Sequence, residues 1–209
     1  TFIFVNYRES TTRISDELKK VNVPVGIFHG GLDQIGRENS LSMVRNGSTV
    51  ILVTTDLAGR GLDIPKIENV VHYHLPNDEE TFIHRNGRTA RMNESGNVFL
   101  LINSKDALPE YMDSIPELNN LEKMEVNEIK IPWVTLLINK GKKDKIRKFD
   151  VVGFLSKIGL LNRNELGLVE VKESYTLAGV NANKAQEVIK LTNGHKIKGK
   201  KAIVSLLNT

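Results

Sequence analysis

The sequence predicts an α/β fold, a parallel sheet with helices on both faces, followed by a small α+β sandwich of order βαββαβ. Three observations predict it. Short runs rich in β-branched residues alternate with amphipathic stretches up to about residue 118, and beyond Asn119-Asn120 a different pattern begins. The charge balance reverses near the same place. Residues 1–127 carry 13 Lys+Arg against 18 Asp+Glu, and residues 128–209 carry 16 against 7. A net of −5 beside a net of +9 fits two domains with different partners, the second facing a polyanion.

In the first domain, expected over residues 1–118, strands fall at Phe2–Val5, Val25–His29, Val50–Thr54, Val70–Leu75 and Val98–Ile102. Continuous apolar runs of this length suit strands buried on both faces. Ile14, Leu18 and Val21 recur at helical spacing after the first strand, and Leu41 and Val44 after the second. Strands alternating with helices imply right-handed crossovers, a parallel sheet, and ligands at the carboxyl ends of its strands. Residues 119–131 read as a polar connector closed by Pro132.

Over residues 132–209 the expected order is strand Trp133–Ile138, a helix at about 147–158, strands Leu168–Lys172 and Tyr175–Val180, a helix at about 182–192, and strand Ala202–Leu207. Val151, Phe154, Leu155 and Ile158 form the apolar face of the first helix. Ala185, Val188 and Ile189 form that of the second, with Asn181 as its cap and Gly194 as its stop. That order is the ferredoxin-like, or RRM-like, sandwich.

The composition narrows the class. Hydrophobic residues make up 40% and charged residues 26%, as in globular proteins and unlike disordered chains. There is no cysteine, which excludes disulfides and thiolate metal sites and fits a reducing, cytoplasmic setting. No apolar run approaches the roughly 20 residues of a membrane span, so no membrane partner is expected. Thr1-Phe2-Ile3-Phe4-Val5 reads as a strand already in progress, as in a piece of a longer protein.

Three polar segments follow predicted strands. His84-Arg85-Asn86-Gly87-Arg88-Thr89-Ala90-Arg91 sets three arginines at i, i+3 and i+6. Like charges at that spacing repel, and an anionic ligand would offset the repulsion. The planar, permanently charged guanidinium groups of Arg88 and Arg91 suit a transferring phosphoryl group. The alternative is a surface cluster paired with Asp78, Glu79 and Glu80. The segment from Thr54 to Asp63 begins at the end of a buried strand, and Gly59 and Gly61 permit close backbone approach. Thr55 can donate to a phosphate and Asp63 can accept from a hydroxyl; the alternative is a Gly-rich loop with a capping Asp. His29-Gly30-Gly31-Leu32-Asp33-Gln34-Ile35-Gly36-Arg37 leads from strand to helix and suits phosphate contacts at a helix N-terminus.

In this order and spacing the segments resemble the second RecA-like domain of DEAD-box RNA helicases, over about residues 1–118. Phe2-Ile3-Phe4-Val5-Asn6 is similar to that family's motif IV and Gln34-x-x-Arg37 to its glutamine–arginine motif. Thr55 through Asp63 is similar to motif V, and His84 through Arg91 to motif VI. Tyr7 stands where Thr is commoner, Gly31 where Asp is usual, and Ala90 where Gly is usual. The resemblance implies a RecA-like sheet and a set of roles. Arg88 and Arg91 would be catalytic arginine fingers, and Gly61 and Asp63 would join them in binding ATP. Asn6, Gly30, Arg37 and Thr55 would hold RNA, while Arg60 and His84 would bridge to an N-terminal RecA-like domain of the same protein. The Walker lysine loop and the Asp-Glu-Ala-Asp metal motif do not occur in the sequence. The Mg²⁺ ligands for ATP are therefore expected in that N-terminal domain, and this chain is expected to be inactive alone.

The basic tail holds Lys142-Lys143-Asp144-Lys145-Ile146-Arg147-Lys148 before its first helix and Lys196-Ile197-Lys198-Gly199-Lys200-Lys201 before its last strand. In a βαββαβ sandwich the two can flank one rim of the sheet as a basic channel. Tyr175 and Trp133 are the only strong candidates for base stacking on the sheet, so loop contacts are favoured. The tail resembles the C-terminal RNA-binding domain of the DEAD-box protein A (DbpA) group. The matching stretches are Gly141 to Arg147, Asp150-Val151-Val152-Gly153, Leu166-Gly167, Ser174-Tyr175 and Ile197-Lys198-Gly199-Lys200. That group recognises a hairpin of large-subunit ribosomal RNA. The resemblance implies structured ribosomal RNA as partner, ribosome assembly as role, and Lys142, Lys143, Lys145, Arg147, Lys198 and Lys200 as RNA contacts. Two other readings stay open: a general RNA-remodelling helicase or RNA chaperone, and a DNA-directed relative, against which His-Arg-x-Gly-Arg-x-x-Arg speaks.

Overall fold

The computed structural model describes residues 1–59, 67–89, 96–103, 108–112 and 129–207. They group into two compact units, Thr1–Arg37 with Ile51–Ile129, and Glu38–Val50 with Lys130–Thr209. In the first unit β1 (Phe2–Phe4), β2 (Val25–Phe28), β3 (Ile51–Thr54), β4 (Asn69–His72) and β5 (Asn97–Leu100) form a parallel sheet of order β2-β3-β1-β4-β5. Central β1 pairs with β3 on one side and β4 on the other. Helix α1 (Arg8–Lys20) brings Ile14 and Leu18 against Val5, Val25 and Val53.

Strands buried on both faces are seen best in β1 and β3, where Phe4, Leu52 and Val53 are inaccessible to solvent. The edge strand β5 departs from that expectation. Val98 and Phe99 are 39% and 51% exposed in this strand, which lies at the edge of the sheet among the described residues. Helix α3 (Glu79–Asn86) starts where Asp78 accepts from the Thr81 N–H at 2.8 Å, with Glu79 and Glu80 at the positive end of its dipole.

Helix α2 (Gln34–Arg45) is followed by the loop that leads to β3. The second unit is a four-stranded antiparallel sheet of order β11-β6-β8-β7, from β6 (Trp133–Ile138), β7 (Leu166–Val171), β8 (Thr176–Asn181) and β11 (Val204–Leu206). Helices α4 (Lys148–Lys157) and α5 (Ala185–Thr192) cover one face. Val151, Phe154, Leu155 and Val188 meet Leu136, Ile138, Ala178 and Val180 there, which is the ferredoxin-like core read from the helical periodicity. Ile158, the fourth member of the predicted face, ends α4 and is 37% exposed.

A two-residue turn joins β9 (Lys196–Ile197) to β10 (Lys200–Lys201), with Lys198 at φ 51° and Gly199 at φ 80°. Within this unit Ser48 Oγ and Asn46 Nδ2 bond the Thr135 hydroxyl at 2.7 and 3.3 Å, and a Cβ on Gly179 would stand 2.5 Å from the Asn46 carbonyl oxygen. Glu38–Val50 thus lies against the side of the sheet opposite the helices. None of the described helices is long and apolar enough to cross a membrane.

Candidate nucleic-acid interface

In the first unit a cavity of about 440 Å³ opens at the carboxyl ends of the strands. Asn6 follows β1, Gly30 follows β2, and Thr55 and Asp56 follow β3; Thr81 and His84 reach the cavity from α3. Gly30 borders the Arg8 guanidinium so closely that a Cβ would lie 3.4 Å from Nη2. Arg8, the first residue of α1, lines the cavity with a permanent positive charge. The motif pattern did not single it out, although a cation directly after a β1–Asn6 strand end was a usable signal. The neighbouring His29 is held below the usual imidazole range by burial and by Arg8. Its Nδ1 accepts from the Gly31 N–H at 3.1 Å, and any side chain at position 31 would press on the ring at 3.0 Å. That accounts locally for a glycine there.

Arg85, the arginine of the cluster that carries no expected ligand role, is turned inward. It is fully buried. Its Nε donates to Asp56 Oδ1 at 2.5 Å, Nη1 to the His74 carbonyl at 2.8 Å and Nη2 to Asn6 Oδ1 at 2.8 Å. The guanidinium also lies 5.3 Å from the Phe4 ring centre. One side chain therefore ties together the loops after β1, β3 and β4, of which the first two line the cavity through Asn6 and Asp56. Asn6, expected to touch RNA, donates its other amide end to the Leu75 carbonyl at 2.9 Å. Below this frame His72 stacks between Phe4 and Phe82 and donates from Nε2 to Asn86 Oδ1 at 2.8 Å. Burial lowers its pKa to about 4, so it stays neutral.

The remaining expected residues of this unit divide in four. Gly30, Thr55 and His84 share the cavity with Asn6. Arg37 does not line it: its Nη1 donates to the Leu32 carbonyl at 2.9 Å and its Nη2 to Gln34 Oε1 at 3.0 Å. Arg88 stands in the turn after α3, its N–H bonded to the Arg85 carbonyl at 3.1 Å. Arg60, Gly61, Asp63 and Arg91 lie outside the described residues.

In the second unit the two lysine-rich segments form one rim. Ile146 and Ile197 are each 2% exposed and anchor their segments in the core, which leaves Lys142, Lys143, Lys145, Arg147, Lys198 and Lys200 facing water. Gly141 is required for the first segment to dock. A Cβ there would stand 2.6 Å from the Lys172 carbonyl oxygen and from the Tyr175 nitrogen. Lys142 and Lys143 N–H groups bond the Lys172 and Glu173 carbonyls at 2.9 Å. Asp144 and Asp150 clamp the rim. Asp150 Oδ2 accepts from the Arg147 N–H at 2.8 Å and from Lys198 Nζ at 3.2 Å. Asp144 accepts from the Gly141 N–H and Lys200 Nζ, each at 3.2 Å. Backbone N–H bonds, from Gly141 and Arg147, and then the lysines hold both carboxyls below the usual aspartate range. Lys198 and Lys200 thus share their charge with these aspartates. Lys142, Lys143, Lys145 and Arg147 are the exposed cations of the first segment. Of the two aromatics considered for stacking, Trp133 lies over Gly167 and the Tyr175 hydroxyl bonds Asn39 at 3.1 Å.

Residues 1–93 match the helicase conserved C-terminal domain, and residues 135–206 match the DbpA RNA binding domain. The chain is similar to the ATP-dependent RNA helicase DbpA of Escherichia coli (strain K12), 33% identical over 216 residues, 98% of this chain and 46% of that protein. It is also similar to DbpA of Bacillus subtilis (strain 168), 26% identical over 234 residues, 99% of this chain and 49% of that protein. The chain belongs to the DEAD-box family, in its DbpA group. A match to the ATP-dependent RNA helicase mak-5 of Neurospora crassa, 41% identical over 115 residues, covers 51% of this chain and 14% of that protein. The chain spans about half the length of the two DbpA relatives it matches. Its parallel five-stranded sheet is RecA-like, and Thr55, at the end of its β3 strand, opens directly on the cavity.

Proposed function

We propose that this chain supplies the second RecA-like half and the targeting domain of an ATP-dependent RNA helicase that acts on structured ribosomal RNA during ribosome assembly. The observation that carries the reading is that one chain joins both domain matches while Asn6, Gly30, Thr55 and His84 converge on a single cavity. In this reading the Thr55 hydroxyl, the Gly30 backbone and the Arg8 guanidinium hold phosphates of one RNA strand. His84 and Arg60 face the first RecA-like half, which would also supply the ligands of Mg²⁺ bound with the substrate ATP. Gly61 and Asp63 would meet the nucleotide. Arg88 and Arg91 would neutralise charge on the transferring phosphoryl group, with the buried Arg85 keeping the segment of Arg88 in register. Closing the two halves would bend the held strand away from its complement. The basic rim would keep the motor on its RNA.

RNA-stimulated ATP hydrolysis by the full-length protein tests the motor part. Arg88→Ala and Arg91→Ala are each expected to lower turnover by on the order of 10³ while ATP still binds. Turnover retained in both would contradict the assignment. Competition between a ribosomal hairpin and an unrelated hairpin of equal length tests the address. Equal affinities would point instead to general RNA remodelling.

A further inference from the structure

We propose that Phe149 is a stacking platform for one unpaired nucleobase of the RNA bound on the basic rim; this rests on the reading of that rim as an RNA surface. Phe149 is 88% exposed, more than any other large hydrophobic side chain among the described residues. A single exposed apolar side chain is ordinary on a protein surface. Its surroundings make this one informative. It is the second residue of α4, directly after Arg147 and Lys148 and directly before Asp150. The exposed cations Lys145, Arg147, Lys148 and Lys198 belong to the same rim.

The mounting is also fixed. Asp150, the next residue, accepts from the Arg147 N–H at 2.8 Å and from Lys198 Nζ at 3.2 Å, and Lys198 Nζ also bonds the Lys145 carbonyl at 3.0 Å. The ring therefore stands on a braced turn rather than on a loose loop. A nucleobase laid on it would have its phosphates beside cations already in place. Single-stranded nucleic acid is held by this combination of aromatic face and basic track. The sheet offers no such face, since Trp133 lies over Gly167 and Tyr175 bonds Asn39. Because every base has a π-face, Phe149 selects unpaired nucleotides over paired ones without reading their sequence. A duplex keeps its bases stacked on one another and presents backbone and groove edges to the rim, with no free base face along its length.

The test measures binding of the whole chain to an RNA hairpin with an unpaired loop, and to a blunt RNA duplex with the same number of phosphates, across a salt series. Phe149→Ala is expected to weaken hairpin binding roughly tenfold, to leave duplex binding within about twofold, and to leave the salt slope unchanged. Phe149→Tyr is expected to keep the original affinity, and Phe149→Leu to fall with the alanine variant. Being so exposed, none of these changes should disturb folding. Hairpin affinity unchanged in Phe149→Ala, equal losses on hairpin and duplex, or full affinity in Phe149→Leu would each overturn the stacking role alone. Failure of the unsubstituted chain to bind either RNA would overturn both this proposal and the RNA reading of the rim.

Discussion

In the parallel-sheet unit the guanidinium of Arg85 is buried and divided among Asp56, His74 and Asn6, whereas in the small unit Lys142, Lys143, Lys145 and Arg147 face water. Both sets come from dense clusters of cations in the sequence. One cluster gives up a member to hold the protein's own loops, and the other is presented outward on a braced rim. The difference lies in what sits opposite each cation. Arg85 meets a carboxylate, a carbonyl and an amide oxygen contributed by three different loops. The rim's aspartates at 144 and 150 mainly accept from backbone N–H groups of their own segment and restrain only Lys198 and Lys200.

Substituting Arg85 should break this contrast most severely. Arg85→Leu leaves Asn6 Oδ1 and the His74 carbonyl without their donor and breaks the pair of a buried guanidinium with a half-exposed carboxylate. A loss of about 3 kcal/mol is expected, at the low end for such pairs because Asp56 is 51% exposed. Arg85→Lys should not restore it, since one ammonium cannot span three acceptors. Urea unfolding would show a lower midpoint at constant slope; a change below about 1 kcal/mol would mean that the fork is dispensable.

The frame beneath Arg85 can be stressed by pH alone. His72 has a folded pKa of about 4 against an ordinary 6.5, so between these values the unfolded chain takes up a proton that the folded chain does not. Stability should therefore fall as pH drops through 6.5 and level off below about 4. The expected loss from pH 7 to pH 5 is about 2 kcal/mol, and His72→Phe should flatten that dependence. Thermal melts at matched ionic strength, identical at both pH values, would contradict a buried neutral imidazole.

Gly141→Ala sharpens the other side of the comparison, because it disturbs the rim without removing a charge. Its Cβ would collide at 2.6 Å with backbone on both sides, an overpacking cost of about 1–3 kcal/mol. RNA affinity should fall while the salt slope holds; a variant as stable as the parent would show that the loop docks some other way. The smallest effect is expected from Lys198→Ala. Its half-exposed pair with Asp150 contributes under about 1 kcal/mol, and a larger drop in melting stability would mark the hairpin as structural.

Much of this was legible in the sequence because periodicity reports burial. Val151, Phe154 and Leu155 carried the 3.6-residue period and are core residues, and Phe2–Val5 and Val50–Thr54 read as buried strands, observed as Phe2–Phe4 and Ile51–Thr54. Position within the finished fold was not legible. Val98 and Phe99 have the same composition as central strands, yet an edge strand exposes them. Arg85 and Arg88 are chemically identical in the motif, and only the loops converging from Asp56, His74 and Asn6 decide which one is buried. Phe149 escaped notice for the opposite reason. Stacking was sought on the sheet, and only the mounting of α4 beside the two lysine segments makes an exposed phenylalanine there informative.

In the proposed function the small unit's exposed cations are the RNA address. The direct measurement is the salt dependence of RNA-hairpin affinity for the unsubstituted chain and for the triple variant Lys143→Ala, Lys145→Ala and Arg147→Ala. Loss of three phosphate contacts should weaken binding and reduce the slope of log affinity against log salt by about two to three. An unchanged affinity and an unchanged slope would place the RNA on another surface.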